Sequence, residues 1–131
     1  MTISKKSKYL LKLGMIIKNM KPFYSYNMFS NCNSLEKLTL PKSLTNRITK
    51  MDYMFFQCHS LKTIELKNFV SETTEDMRYM FANMNQLINL DITKFKIKEG
   101  CKINCMFSNC TEELKEKIKK QNSKIPELAF I

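Results

Sequence analysis

The sequence predicts an α/β solenoid, a short stack of repeats that each contribute one parallel strand and one short helix. Three observations support this prediction: a repeat of 26 residues, a helical apolar spacing in the first part of each repeat, and a strand-like alternation in the second part. Helices at both ends are expected to cap the stack. A chain of 131 residues is long enough for one such domain.

The repeat is visible as a Met-Phe pair that recurs at constant spacing. The segments "MFSNCNSLEKLTL", "MFFQCHSLKTIEL", "MFANMNQLINLDI" and "MFSNCTEEL" begin at Met28, Met54, Met80 and Met106. The spacing is 26 residues each time. A unit this short cannot bury its apolar face alone, so neighbouring units are expected to share one core.

The first part of each repeat has the apolar spacing of a short amphipathic helix. Apolar residues occupy positions i, i+3, i+4 and i+7 in residues 51–58, 77–84 and 103–110, and residues 25–32 follow with one polar start. This stripe predicts a helix of about two to three turns in each repeat.

The second part of each repeat alternates like a strand with one buried face. Leu38 and Leu40 alternate with polar neighbours, and Leu35 precedes them at the spacing L-x-x-L-x-L. The same spacing recurs in the next two units. It is typical of leucine-rich repeats, so the predicted fold is a leucine-rich-repeat-like solenoid with its strands side by side in one parallel sheet.

The outward positions of the predicted strands are expected to form one exposed face. These positions are polar in every repeat: Lys37, Thr39, Thr63, Glu65, Lys67, Asn89, Asp91 and Thr93. Repeat proteins commonly bind other proteins through such a surface. The sequence therefore predicts a partner-binding face of modest size.

The predicted solenoid spans residues 24–110, with a basic segment at residues 1–23 before it. The chain has a net charge of +10, and its first 21 residues contain lysines and no acid. An apolar helical stripe in this segment comprises Leu10, Leu13, Ile17 and Met20. One interpretation is a capping helix. The other is a cationic element that contacts an acidic membrane surface or a nucleic-acid backbone. Its lysines would be Lys5, Lys6, Lys8 and Lys12.

Residues 111–131 are expected to form a helical cap at the other end. Thr111 is a suitable N-cap, and Glu112 and Glu113 follow in the first turn, where acids suit the helix dipole. Pro126 lies beyond the expected end of the helix. In this interpretation the helix replaces the fourth strand and stops the array.

The cysteines favour a role in packing. They are Cys32, Cys58, Cys101, Cys105 and Cys110. Three of them share one repeat column whose fourth member is Met84, and a core position tolerates that exchange whereas a metal site or disulfide does not. The spacing C-x3-C-x4-C is not a standard zinc pattern. An exposed reactive thiol at Cys101 remains a separate hypothesis.

Nothing in the sequence indicates an enzyme, a cofactor or a metal. His59 is the only histidine and occupies a column of polar turn residues. Gly14 and Gly100 stand alone, so no glycine-rich phosphate loop is present. The odd number of cysteines, with no secretory signal and no membrane-spanning segment, favours the cytoplasm.

The units "KMDYMFFQCHSLKTIELKNF" and "DMRYMFANMNQLINLDITKF" resemble the BspA-like leucine-rich-repeat family. The resemblance extends over residues 24–110 because the Met, Phe, Cys and Leu columns coincide. It implies a repeat solenoid that serves adhesion or other protein–protein contacts, without catalytic residues, and it admits a location at the cell surface.

Three functional hypotheses follow from these observations. The leading one is a non-catalytic protein–protein interaction module that binds through the exposed sheet face. The rival is a small basic protein associated with nucleic acid or ribonucleoprotein through its Lys-rich N-terminus. The third is self-association through an open end of the solenoid.

Overall fold

The computed structural model describes residues 23–24, 26–40, 48–66, 69 and 71–131. The predicted N-terminal cap lies outside these residues, apart from the backbone of a short strand that ends it. Strands and helices in chain order are β1 (Phe23–Tyr24), β2 (Lys37–Thr39), β3 (Ile48–Lys50), β4 (Thr63–Glu65), β5 (Asn89–Leu90), α1 (Glu112–Gln121) and a 3-10 helix (Glu127–Ala129). No helix in the described part is long and apolar enough to span a membrane.

Strands β2, β4 and β5 form a parallel three-stranded sheet in that order, and β1 pairs in parallel with β3. The register of the larger sheet follows the sequence repeat, because Leu38 lies beside Ile64 and Ile64 beside Leu90. These three side chains are buried. The strands of the larger sheet therefore lie where the alternation of apolar residues predicted them, whereas the second sheet of β1 and β3 was not predicted.

The Met-Phe segments form turns where the sequence predicted helices. The amide of Phe55 donates to the carbonyl of Met80 in the next repeat at 2.9 Å, instead of to a carbonyl of its own segment. Two residues per repeat have a left-handed backbone, for example Tyr53 with φ 56° and Gln57 with φ 59°. Such residues interrupt a helix, and the same i, i+3, i+4, i+7 side chains still point inward from the successive turns.

A column of stacked phenylalanine rings forms the centre of the core. Ring centroids of Phe29 and Phe55 are 5.6 Å apart, those of Phe55 and Phe81 5.5 Å, and those of Phe81 and Phe107 5.4 Å. Phe55, Phe81 and Phe107 are completely buried. The Met-Phe repeat is thus a packing rule, since each ring covers the ring of the adjacent repeat.

Helix α1 begins where the sequence predicted it. The hydroxyl of Thr111 accepts a hydrogen bond from the amide of Leu114 at 3.3 Å, which satisfies one of the free donors of the first turn. Leu114 and Ile118 are buried against the repeats. The apolar side of α1 therefore covers the C-terminal end of the core.

The C-terminal segment also closes the backbone of the last repeat. The side-chain amide of Gln121 donates to the carbonyl of Leu90 at 3.0 Å, and its oxygen accepts from the amide of Ile92 at 2.9 Å. The carbonyl of Ala129 accepts from the amide of Phe107 at 2.7 Å. One side chain thus takes the place of a further strand on the outer edge of β5.

Candidate protein-binding face

Most of the predicted binding residues lie together on the outward side of the sheet. Lys37, Thr39, Asn89, Asp91 and Thr93 are exposed, and Thr63 and Glu65 are half-buried. Lys67 lies outside the described residues. We call the seven described residues the sheet face. The five on β2, β4 and β5 are aligned because pairing between the strands keeps the 26-residue register, and Asp91 and Thr93 follow the end of β5.

Contacts between neighbouring strands order the first half of the sheet face. The ammonium of Lys37 lies 2.6 Å from a carboxylate oxygen of Glu65, and the hydroxyl of Thr39 donates to the other oxygen at 2.9 Å. The Lys37 side chain is 61 % exposed and that of Glu65 31 %. An exposed pair of this kind adds about 0–1 kcal/mol to stability. Its main effect is to orient Glu65 across β2 and β4.

Asp91 supplies a constant negative charge in the second half of the face. Its carboxylate accepts hydrogen bonds from the hydroxyl of Thr93 at 2.6 Å and from the Thr93 amide at 2.9 Å. These two bonds hold the pKa of Asp91 below its usual range, more than its slight burial raises it. Asp91 is therefore ionised at neutral pH.

A shallow groove of about 480 Å³ runs between the sheet face and α1. Glu65, Asn89 and Asp91 line the side of the sheet, while Lys117 and Gln121 line the side of the helix. The side chain of Ile88 is 52 % exposed in this groove. The groove therefore combines an apolar contact with charges of both signs, which is the composition of many protein-binding sites.

Sequence reasoning missed Ile88, Lys117 and Gln121 as members of this surface. Ile88 interrupts the polar pattern beside Leu87, and this was the one available signal. The two helical residues reach the sheet only because α1 packs across the last repeat. No local pattern could have placed them there.

A second group of charged residues comprises Asp52, Asp76 and Arg78. Asp76 is 5 % exposed, and its two carboxylate oxygens accept hydrogen bonds from the guanidinium of Arg78 at 2.7–3.2 Å. Asp52 lies nearby, and its Oδ1 atom is buried without a hydrogen-bond partner among the described residues. Arg78 thus bonds to both oxygens of Asp76, whereas one oxygen of Asp52 has no hydrogen bond from a described residue.

The pKa values of the two carboxyls shift in opposite directions. Burial, followed by the charge of Asp76, raises the pKa of Asp52. Burial also acts to raise the pKa of Asp76, but the hydrogen bonds and charge of Arg78 outweigh it and leave that pKa below its usual range. Ionised Asp52 therefore weakens the fold, and ionised Asp76 strengthens it.

Substitution of each residue by asparagine is expected to change stability in opposite directions. Asp52→Asn should raise the free energy of unfolding at pH 7, because it removes a charge that burial and the neighbouring Asp76 disfavour. Asp76→Asn should lower it by about 1–2 kcal/mol, since charge-assisted hydrogen bonds to a partly exposed arginine are lost. Urea titrations monitored by circular dichroism would measure both changes.

The pH dependence provides the control for this pair. Asp76 contributes stability at neutral pH that is lost as the pH falls through its lowered pKa, whereas proton uptake by Asp52 favours the fold as the pH falls through its raised pKa. The gain from Asp52→Asn should therefore shrink in acid. If Asp52→Asn raised the free energy of unfolding equally at neutral and at strongly acidic pH, the charge of Asp52 would not be the cause of the gain.

The cysteines have the properties of packing residues. Cys58 and Cys110 are buried, and burial raises the pKa of each thiol to about 11. Burial also raises the pKa of half-buried Cys101 to about 11, whereas a reactive thiol needs a lowered pKa. The hypothesis of a reactive Cys101 therefore finds no support. All five thiols are unpaired.

The basic charge is distributed unevenly between the described residues and the rest. All 12 acidic side chains of the chain are described, but only 13 of its 22 basic ones are. The described surface is therefore almost neutral. The lysines expected to contact anionic surfaces, Lys5, Lys6, Lys8 and Lys12, lie outside the described residues.

A family model described as "Mycoplasma protein of unknown function, DUF285" matches residues 24–127. The chain belongs to this family. The match corrects the assignment to BspA-like leucine-rich repeats, which was wrong. The columns that suggested it are the buried Met, Phe, Cys and Leu positions. Packing between repeats of equal length demands such residues, so these columns are weak evidence of kinship. No curated protein and no solved structure was found to match the chain.

Proposed function

We propose that the chain is a non-catalytic protein-interaction module, built as a short stack of repeats that binds a protein partner through the sheet face. The carrying observation is the alignment of Lys37, Thr39, Thr63, Glu65 and Asn89 on three strands in constant register, with Asp91 and Thr93 just after the end of the third strand. An ordered polar surface of this kind binds with little loss of side-chain freedom.

The adjoining groove supports the same proposal. A partner that crosses the strands would place an apolar side chain on Ile88 and cationic groups near Glu65 and Asp91. Buried apolar anchors within a polar rim are what distinguish specific interfaces from ordinary surface. The small area of three short strands fits a modest interface or one contact within a larger assembly.

Reversal of the acidic charges on the sheet face tests the proposal. The double variant Glu65→Lys and Asp91→Lys is expected to weaken partner binding by about tenfold or more, because both charges lie in the contact. Partners would be collected by cross-linking in the source cells and identified by mass spectrometry. Affinities would then be measured by calorimetry with the purified partner.

The matched control is the double variant Glu72→Lys and Glu99→Lys. Both residues are exposed acids away from the sheet face, so the change in net charge is identical. Loss of binding in the sheet-face variant alone supports the proposal. Equal loss in both variants, or in neither, would show that this face is not the site.

A second function, nucleic-acid binding, is favoured by the concentration of basic charge outside the described residues. Six lysines and no acid occur in the first 21 residues. Binding through them would release counterions, so the affinity for RNA should fall steeply as salt rises. Deletion of residues 1–12 should abolish it, as measured by fluorescence anisotropy with a labelled RNA. A flat salt response would exclude this function.

We also propose a location in the cytoplasm. Five unpaired thiols, an odd number, suit a reducing compartment. A cysteine-labelling experiment in intact and lysed cells tests it, since thiols exposed at the cell surface react before lysis.

A further inference from the structure

The two ends of the repeat stack differ in how they are covered. At the C-terminal end, Phe130 stacks on Phe107 with ring centroids 5.5 Å apart, and Gln121 closes the edge of β5. At the N-terminal end, the first repeat is only half-buried at Met28, Phe29, Cys32 and Leu35. The corresponding residues of the second repeat, Met54, Phe55, Cys58 and Leu61, are fully buried. The N-terminal end therefore presents core side chains that nothing in the described part covers.

No described residue pairs with the outer backbone groups of the same end. Glu36 and Leu40 bond to β4, so the alternation of a parallel ladder turns the N–H and C=O groups of Lys37 and Thr39 to the outer edge of β2. The carbonyls of Met54, Met80 and Met106 each accept an amide from the preceding repeat. The carbonyl of Met28 is the next in this column and accepts none from a described residue.

We propose that this N-terminal end binds a second copy of the chain across a two-fold axis. Strand β2 would pair antiparallel with β2 of the second copy, centred on Leu38. This register sets Lys37 opposite Thr39 of the other copy, and such a pair exchanges both N–H···O bonds. The half-buried apolar residues of the two first repeats would then cover each other. The sheets would join into one continuous sheet.

Three features favour a second copy as the occupant. A two-fold interface needs a self-complementary patch, and an antiparallel pair of identical edges satisfies that need. Head-to-tail stacking is blocked, because Gln121 and Phe130 already cover the other end. The charges also fit, since the register separates the two Lys37 side chains and each remains 2.6 Å from its own Glu65.

Sedimentation velocity of the full chain over a wide range of concentration tests the proposal. A reversible monomer–dimer equilibrium is expected. Phe29→Ser and, separately, Thr39→Pro should each weaken it about tenfold or more, because one removes an apolar contact and the other an edge N–H. Circular dichroism checks that each variant is folded, and two variants are used in case one is not. Ile88→Ser, an exposed apolar change in the groove, is the matched control and should leave the dimer intact.

Hydrogen exchange separates the proposal from its rivals. The amides of Lys37 and Thr39 should become protected only as the concentration rises. Protection at all concentrations in a monomer would show that residues 1–22 of the same chain cover the edge, and would overturn the proposal. A monomer in which both amides are unprotected would also overturn the proposal, and so would a dimer that only Ile88→Ser abolishes. Lys37 and Thr39 belong to both surfaces, so Asp91→Lys, which lies outside β2, is the variant that tests partner binding at the sheet face separately.

Discussion

Replacement of Phe81 by alanine is expected to lower the free energy of unfolding by about 3–5 kcal/mol, because it opens a cavity in the middle of the ring column. Phe81 is completely buried and stacks between Phe55 and Phe107, at centroid distances of 5.5 and 5.4 Å. The loss interrupts the core that joins successive repeats. Urea denaturation monitored by circular dichroism would measure the change.

Phe29→Ala is the matched control for this prediction. The two phenylalanines occupy the same column, but Phe29 is half-buried at the end of the stack and stacks on one ring among the described residues. Its removal should therefore cost clearly less than the removal of Phe81. Equal effects of the two variants at a protein concentration that keeps the chain monomeric would contradict the interpretation of the column as a continuous core.

Truncation of the chain after Cys110 should have the other large effect, loss of cooperative folding. The deleted segment contains the buried residues Leu114, Ile118, Ala129 and Phe130. They also supply the Gln121 side chain to Leu90 and Ile92 and the Ala129 carbonyl to Phe107. Without them a strand edge and a full layer of apolar core face water, so aggregation is expected as well. Thermal melts and light scattering would show both effects.

A point variant separates the effect of the hydrogen bonds at the edge of β5 from the effect of the buried side chains of the C-terminal segment. Gln121→Ala keeps α1 and the buried side chains but leaves the Leu90 carbonyl and the Ile92 amide without partners. The expected cost is about 1–3 kcal/mol, with folding still cooperative. A stable, monomeric truncated chain, or an unchanged Gln121→Ala variant, would show that the last repeat needs no closure.

Much of the described core was predictable from the sequence. The Phe column follows from the Met-Phe repeat, and Ile64 and Leu90 are buried in strands as the alternation predicts. The signal is strong because inward and outward positions differ chemically in each repeat. The cap at Thr111 was likewise predictable, since its side chain acts within the first turn of its own helix.

The predicted helices failed for a physical reason. An apolar stripe at i, i+3, i+4 and i+7 reports only which side chains point inward. It does not report where the amides of that segment bond. Here the amide of Phe55 bonds to Met80 of the next repeat, and Tyr53 and Gln57 take left-handed conformations that permit the turn. Asparagines at the corresponding positions 27, 31, 83 and 109 were the available clue, because asparagine tolerates this conformation best after glycine.

The candidate site was also predictable from the sequence only in part. Outward polar residues such as Glu65 and Asp91 could be identified from alternation, whereas the groove beside them depends on how α1 crosses the last repeat. The opposite pKa shifts of Asp52 and Asp76 were also hidden. Burial and the charge of Asp76 raise the pKa of Asp52, whereas Arg78 outweighs burial and lowers the pKa of Asp76.

The sequence by itself determined the period of 26 residues, the side chains that face the core and the outward residues of each strand. These properties follow from the periodic placement of apolar residues, which is local information. The tertiary structure alone decided that the Met-Phe segments are turns, that Gln121 closes one edge while no described residue pairs with the outer edge of β2, and that a groove adjoins the sheet face. Each of these depends on the direction of hydrogen bonds and contacts between distant segments, which no local pattern specifies.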